Sequence, residues 1–592
     1  MCGIFGYTGD YDASKVIHEG LKRLEYRGYD SWGISLIKGD RISCVKDIGH
    51  IPEKIIQKKE DSNIGIGHTR WATHGGVTIT NAHPHYSSDK SFVVAQNGIV
   101  ENYTELKLFL KSQNYQFKTQ VDTEVIVKQI EHELKDSTDI KEAFRRAFNK
   151  LEGRNTVILL DSKSNQILAI RNGSPLVMGI KDRKIYLASD PLAFNQYTRN
   201  IVDINNGELV EIKDGKWKIY DVLSNKEIKR GIKCEEFLNS DVNKGEYEHF
   251  MIKEIIEQQH TILTATQYTL KDLKPLIERI KNSSTVYTIG AGTAGFSADQ
   301  IAYYLRKISK INAISIKAYE IESYLNILNK KDTVIAISQS GETADTLEAV
   351  ELFKSKGVYI SSIINMPSST LSRISDSFFM SNAGSEICVA STKVFTSQIS
   401  FGYLLAKSIS GEFTDAKKEL AYTSSKLEDF FYSSKNFKNI QNISKLLKDR
   451  DHFFILGKGQ NFHIAQEGAL KIKEISYKHF EGFAAGELKH GVIALIDNGT
   501  PVISIISDDQ NWKDLISATH EVKARGAFTI GIGDEKFKKE TCFDKYISVA
   551  DSNELKAITN VIPFQLISYF LAKELGNSID KPRNLAKSVT VK

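Results

Sequence analysis

Val286-Tyr287-Thr288-Ile289-Gly290-Ala291-Gly292 and Phe453-Phe454-Ile455-Leu456-Gly457-Lys458-Gly459 are two copies of one pattern, an apolar run ending in Gly-x-Gly. Such a run reads as a buried strand, and the glycines read as a tight turn into a helix. The likeness continues outward at an offset of 167 to 169 residues. Residues 333–337 match the apolar run 501–505, and Lys354-Ser355-Lys356-Gly357 matches Val522-Lys523-Ala524-Arg525-Gly526. Strands alternating with helices at this spacing predict two doubly wound α/β units with parallel sheets, each with its ligand edge at the carboxyl ends of the strands.

The chain before this repeat reads differently. Short strand-like runs at 3–7, 33–37, 64–68, 92–94, 156–160, 167–171 and 184–188 are separated by Gly, Asn and Asp turns. Helical periodicity appears at 13–23, 104–113, 122–134 and 140–151. Together they predict an α+β domain with layered sheets. Charge and turn formers crowd residues 205–245, as in Lys213-Asp214-Gly215-Lys216 and Asn239-Ser240-Asp241, and predict a junction before a helix at 248–260. The expected division is 2–240, 241–430, 431–580 and a tail at 581–592.

At 592 residues, several domains are expected. Basic and acidic residues nearly balance, 78 against 73, with no basic block, which argues against nucleic acid or a membrane surface as partner. The five cysteines form no Cys-x-x-Cys pair, the usage of a reducing compartment. No apolar run approaches the ~20 residues of a membrane helix, and no signal pattern opens the chain. A cytoplasmic protein is expected.

Cys2 is the first chemical candidate. Loss of Met1 would place a thiol and a free α-amino group on one residue, a nucleophile beside a base; a thiol in a first buried strand is the plain alternative. A cysteine attacking a carboxamide needs an oxyanion hole, for which Asn97 and the Gly98 backbone are suited. A free amino acid substrate needs a cation for its carboxylate, with Arg70 as candidate, and an acceptor for its ammonium, with Asp122 as candidate. An exposed Arg, a turn Asn-Gly and a helix-cap Asp are the plain alternatives. His68, His74, His83 and His85 match no helical zinc spacing, so neither a metal nor a cofactor is expected.

In the repeat, Gly290-Ala291-Gly292-Thr293-Ala294-Gly295 satisfies G-x-G-x-x-G, and Glu320 follows the next strand-like run as a ribose partner would. A nicotinamide-dependent oxidoreductase is therefore an alternative, although the second copy has Phe462 at the third glycine. Ser338-Gln339-Ser340-Gly341-Glu342-Thr343 offers three hydroxyls and an amide at a helix start, a monophosphate cradle. No Lys follows its Gly, which disfavours a triphosphate. Val389-Ala390-Ser391-Thr392-Lys393 adds a second hydroxyl cluster. Glu467, Lys471 and Glu474 share a helix face, either a solvated stripe or a carboxylate base with a cation beside it. His490 lies in a glycine-flanked loop, and Lys587, in the tail, is suited to a Schiff base.

These stretches, in order, resemble one family. Met1-Cys2-Gly3-Ile4, Tyr26-Arg27-Gly28-Tyr29-Asp30-Ser31, His68-Thr69-Arg70-Trp71-Ala72-Thr73-His74-Gly75, Asn97-Gly98 and Asp122-Thr123-Glu124 are similar to the glutaminase domain of N-terminal-nucleophile amidotransferases. The Ser-Gln-Ser-Gly-Glu-Thr, Val-Ala-Ser-Thr-Lys, Glu-Gly-Ala-Leu-Lys-x-Lys-Glu, Gly-Glu-Leu-Lys-His-Gly and Pro-Arg-Asn-Leu-Ala-Lys-Ser-Val-Thr-Val stretches resemble the paired sugar-isomerase domains of those members that aminate sugar phosphates. The resemblance implies glutamine and fructose 6-phosphate as substrates, glucosamine 6-phosphate and glutamate as products, and a homodimer. It implies a Cys2 thioester, an oxyanion hole at Asn97 and Gly98, glutamine held by Arg27, Arg70, Thr73, His74 and Asp122, and Trp71 gating the ammonia path. It assigns Ser338, Gln339, Ser340 and Thr343 to phosphate, and Thr293, Val389 and Ser391 to the sugar. Glu474 is then the isomerisation base, Lys471 its support, His490 the ring opener from a partner subunit, and Lys587 the imine former. One position departs: the family reads Cys-Gly-Thr-Ser where this chain has Ala291-Gly292-Thr293-Ala294, which leaves a related ketose phosphate open as acceptor.

Overall fold

A computed structural model describes residues 2–54, 62–234, 243–367, 369–550 and 552–590. Two compact units emerge, Met1–Asn239 with Ser588–Lys592, and Ser240–Lys587. Met1, the Asn239-Ser240-Asp241 stretch and the expected boundary at 240 lie outside the described residues.

The first unit has two antiparallel sheets. Strand Gly3–Thr8 is central in an eight-stranded sheet, flanked by Ile64–Arg70 and Lys184–Ala188. Its register pairs Gly3 with Thr69 and Phe5 with Ala188. Side chains alternate along a strand, and here the alternation divides two cores. Ile4 packs with Ile66, Val93, Ile158 and Leu187 between the sheets. Phe5 and Tyr7 pack with Val16, Ile17 and Leu21 of helix Ala13–Leu24. On the far side, helices Thr123–Glu133 and Ile140–Phe148 cover the seven-stranded sheet that contains Phe92–Gly98. The order of layers is helix, sheet, sheet, helix, and it sets Cys2 at the mouth of a central strand.

The stretch around 205–221, expected to be a junction, belongs instead to the second sheet. Glu208–Lys213 and Lys216–Asp221 form an antiparallel hairpin. Asp214 and Gly215 turn it with φ of 51° and 68°, the backbone of a type I′ turn. The buried residues Leu209, Val210, Ile212 and Ile219 anchor it, and the charges that suggested a linker lie mostly on its outer positions.

The second unit contains two five-stranded, wholly parallel sheets. The first is ordered Ala313–Lys317, Val286–Gly290, Thr333–Ser338, Tyr359–Ile364, Ser377–Met380. The second is ordered His479–Ala484, His452–Gly457, Pro501–Ile506, Phe528–Asp534, Lys545–Val549. Both follow the 2-1-3-4-5 order, whose switch point lies beside the first strand. One apolar core joins them, with Ile301 and Leu305 of helix Thr293–Lys307 beside Ile464, Ala469 and Ile472 of helix Gln460–Ser476. Gly292 enters the first helix at φ 57°, ψ −132°, and Gly459 enters the second at φ 62°, ψ −130°. L side chains rarely adopt that backbone, which accounts for glycine at both positions. No described helix is long and apolar enough to cross a membrane.

Candidate active sites

In the first unit, the Cys2 thiol lies against the backbone of Trp71, whose N–H points at Sγ from 3.3 Å. Burial pushes this thiol up, and the Trp71 N–H and the Arg70 charge oppose it. Arg70 is buried at the end of strand Ile64–Arg70, and its guanidinium donates to the carbonyl oxygens of His74 at 2.5 Å and of Gly75 and Gly76, each at 3.2 Å. Burial lowers the Arg70 pKa, while Cys2, Asp30 and Asp122 raise it. Cys2, Arg70 and Asp122 therefore share one electrostatic neighbourhood.

Asp122 stands at the helix N-terminus but does not cap it. Its Oδ2 accepts from Val100 N–H at 2.8 Å, and burial pushes its carboxyl up. The capping role open in the sequence is thus replaced by a tie to the segment after Gly98. Asn97 donates from Nδ2 to Ser189 Oγ at 2.8 Å, and that hydroxyl also accepts from Ile4 N–H at 2.9 Å. Gly98 has φ 132°, and a Cβ there would lie 2.1 Å from Arg154 O. Arg27 is buried, with Nε 3.4 Å from Cys2 O and a 3.9 Å ion pair to Asp190. Trp71 and His74 are half-buried and Thr73 is exposed.

Three residues that sequence reasoning missed support this arrangement. Ser189 ties Asn97 to the first strand, Asp190 receives Tyr26 Oη at 2.6 Å, and Asp30 accepts Ala72 N–H at 2.8 Å. Only Asp30, within the Arg-Gly-Tyr-Asp-Ser run, carried a signal in the sequence. His68, His83 and His85 are buried; the His68 and His83 rings stack at 4.2 Å between centroids, and His83 meets His85 edge-on at 4.8 Å. Burial pulls His68 down to about 3 and the other two well below the usual range, so the cluster is neutral. No described group of three His, Cys, Asp or Glu could hold a metal ion.

The second unit brings together residues far apart in sequence. Lys471 is buried and donates to Glu474 Oε2 at 2.6 Å, with Glu467 Oε1 3.7 Å away. Burial acts to lower this lysine's pKa, but its interactions with Glu467 and Glu474 raise it above its ordinary range. Glu467 is inaccessible to solvent, receives Thr293 Oγ1 at 3.3 Å, and is pushed by burial to about 8. Glu467 and Lys471 are therefore buried and not solvated, with Glu474 half-buried at the end of the stripe.

Lys587 donates to Glu386 Oε2 and, at 2.7 Å, to the Cys388 carbonyl oxygen. Glu386, also missed from sequence, accepts Thr392 N–H at 2.9 Å and Val394 N–H at 3.1 Å. Burial would raise the Glu386 pKa, but Lys587 and these donors hold it low. Glu386 also acts on Lys471 electrostatically, which links the two lysines. Val389, tied to Asp580 O at 3.1 Å, and Ser391 follow in the same loop and are half-buried.

The hydroxyl cradle lies at the carboxyl edge of the first sheet. Ser338 Oγ is 3.2 Å from Thr343 Oγ1 and accepts Gly341 N–H at 2.9 Å; Ser340 Oγ accepts Glu342 N–H at 3.1 Å. Gly341 has φ 64°, and a Cβ there would lie 2.1 Å from Ser369 Oγ. Thr343 is the N-cap of helix Ala344–Ser355 yet makes no side-chain cap bond, which leaves its hydroxyl in the cradle. Gln339 is half-buried beside it. His490 ends the turn Ala485–His490, exposed and without a hydrogen bond to Glu474 or Lys587 among the described residues.

A layered N-terminal unit with a thiol at its first strand, joined to paired parallel-sheet domains with a hydroxyl cradle, defines a glutamine amidotransferase coupled to sugar-isomerase domains. A glutamine amidotransferase domain matches residues 68–196, and a SIS domain matches twice, at 279–408 and 446–573. The chain is 40% identical to the glutamine–fructose-6-phosphate aminotransferase (isomerizing) of Pyrococcus horikoshii, with 100% of both chains covered. It is 37% identical to that of Caldanaerobacter subterraneus, again over 100% of both. The solved C-terminal domain of glucosamine-fructose-6-phosphate aminotransferase from Francisella tularensis matches with TM-score 0.53 and 33% identity, covering 57% of this chain and 100% of that one. The chain belongs to the glutamine–fructose-6-phosphate aminotransferase (isomerizing) family. The dinucleotide-binding alternative gains nothing: Glu320 is exposed, and the next strand's Lys317 pairs with Asp299 at 2.6 Å.

Proposed function

We propose that this chain makes D-glucosamine 6-phosphate and glutamate from D-fructose 6-phosphate and glutamine, the entry to the hexosamine route. Cys2, freed of Met1, attacks the glutamine carboxamide, forms a glutamyl thioester and releases ammonia; water then releases glutamate. Asn97 and Gly98 serve the oxyanion. Arg27, Arg70, Thr73, His74 and Asp122 hold glutamine, and Trp71, in contact with the thiol, gates the ammonia. Arg70 and Asn97 each have internal hydrogen-bond partners, the His74 carbonyl and the Ser189 hydroxyl, that hold them in place.

Ser338, Gln339, Ser340 and Thr343 take the sugar phosphate, with Thr293, Val389 and Ser391 along the sugar. His490 of the partner subunit opens the ring in a homodimer. Lys587 forms an imine at C2, ammonia displaces the lysine, and Glu474 carries a proton from C1 to C2 with Lys471 as its cation. The supporting observation is the buried Lys587–Glu386 pair, in the same unit as the Lys471–Glu474 pair and the hydroxyl cradle. The domain limits near 240, 430 and 580 and a cytoplasmic location belong to the same reading. None of the described cysteines is disulfide-bonded.

Purified protein given glutamine and several ketose phosphates tests this. Glucosamine 6-phosphate from fructose 6-phosphate is expected, together with its loss in Lys587→Ala and a dimer by sedimentation. Glutamine hydrolysis without that product would overturn the acceptor. Ala294 removes a family hydroxyl worth about 0.5–1.5 kcal/mol net. Ala294→Ser is accordingly expected to lower KM for fructose 6-phosphate several-fold; no change would show that the position does not select the acceptor.

A further inference from the structure

Glu254 lies on helix Phe250–Thr264 and is 2% exposed. Its Oε1 accepts the backbone N–H of Ile387 at 2.6 Å and of Cys388 at 3.2 Å. The segment so fixed carries both groups that hold Lys587, the Glu386 carboxylate and the Cys388 carbonyl. Glu254 thus anchors the lysine's cradle from behind. Its Oε2 is buried without a partner. Glu254 also borders a cavity of about 380 Å³, lined further by Lys253, Glu257, His260 and Lys393. A bare oxygen on an ionised carboxylate is costly when buried. Burial and then Glu386 push Glu254 up to about 8, with Lys587 and Lys393 opposing. At neutral pH two acids therefore surround one ammonium, with Glu386 charged and Glu254 neutral.

We propose that Glu254 is a positioning residue for imine formation at Lys587, holding residues 386–388 so that Glu386 can take the proton Lys587 must lose. The proposal rests on the reading of Lys587 as the imine former. In the step, the ammonium gives one proton to Glu386 and gains a lone pair. The Nζ–C2 bond forms as the carbonyl pair moves to oxygen, which takes a second proton from nitrogen. Glu386 returns its proton as the C2–O bond breaks, leaving water and a protonated imine. Glu254 stays neutral throughout, so a single negative charge governs the lysine.

The test uses the full chain with E254Q, which keeps an acceptor oxygen and stays neutral, and E254M, which removes the acceptor at similar volume. Borohydride trapping of the Lys587–sugar adduct, read by mass spectrometry, follows the step itself. E254M is expected to lose 30-fold or more in synthase kcat, with KM for fructose 6-phosphate within about threefold and glutamine hydrolysis unchanged. Trapping should slow by the same factor, and E254Q should restore both rates to within about threefold. If E254M does not fold, E254D, which withdraws the acceptor by one methylene, carries the comparison with a loss of about tenfold or more. Wild-type trapping and turnover in E254M or E254D would overturn the proposal, as would lost turnover with undiminished trapping. Absence of any wild-type adduct at Lys587 would instead overturn the lysine reading, and this inference with it.

Discussion

The two halves of the internal repeat share a backbone and differ in the side chains they place at the same positions. Helices Thr293–Lys307 and Gln460–Ser476 start from glycines with nearly the same φ and ψ, and both sheets follow one strand order. After the central strand the copies part. The first has Ser338-Gln339-Ser340-Gly341-Glu342-Thr343, with three hydroxyls at a helix start. The second has Ser507-Asp508-Asp509-Gln510-Asn511, where Asp508 pairs with Lys536 at 2.5 Å and Ser507 Oγ is bound by Asn461 and Asn560. Two carboxylates repel a phosphate, and the second edge is occupied by its own side chains. The helices invert the contrast. At the 167-residue offset, Glu467, Lys471 and Glu474 face Gln300, Tyr304 and Lys307 as counterparts. Burial keeps Tyr304 a neutral phenol, pushed far above its ordinary range. In the proposed function one copy binds and the other moves protons, a division that matches a loop changed in one half and a helix face changed in the other.

The largest effect should come from Glu474→Gln, which removes the proposed base from the second copy. Synthase kcat is expected to fall ~10²–10⁴-fold, with glutamine hydrolysis retained; a product assay beside a glutamate assay checks it. Ser338→Ala strips a hydroxyl from the binding copy and should raise KM for fructose 6-phosphate ~10–100-fold, as for a hydrogen bond to a charged group, with kcat less affected. Glu467→Gln gives the second helix the residue of the first and should change how stability depends on pH. The native Glu467 titrates at about 8, above the ~4.3 of an unfolded chain. The native state thus holds an extra proton across that window, and its stability falls as pH rises from about 4.3 to 8. Melting of wild type and variant at pH 5 and pH 8 should show the variant gaining with pH, by a few kcal/mol at most. The smallest effect is expected for Asp509→Ser: a synthase change beyond about twofold would mean that the second edge still takes part.

Much of this division is legible in the sequence. The Gly-x-Gly turns, the hydroxyl run and the Glu–Lys–Glu stripe are local patterns with periods that a linear reading detects. The hairpin at 208–221 was obscured because its charges outnumber its buried positions, although Leu209, Val210 and Ile212 are buried among them. Glu254, Glu386 and Ser189 have no local signature. Each acquires its role from a partner between 92 and 201 residues away, and only packing reveals such an encounter. Asp122 misleads differently: its position suits a cap, while its side chain serves the neighbouring loop.

The tie between the two ends of the second unit bears on synthesis of the chain. Asp580 accepts the backbone N–H groups of Phe250 and Met251, and Gln258 reaches Gln565 across 307 residues. Helix Phe250–Thr264 therefore completes its bonds only after the last hundred residues have left the ribosome. At ~5–20 residues per second, the main part of the first unit emerges roughly 20–70 seconds before the second can close. During translation the glutamine amidotransferase half precedes the sugar-isomerase half, and the main part of the unit that holds Cys2 is made before Lys587.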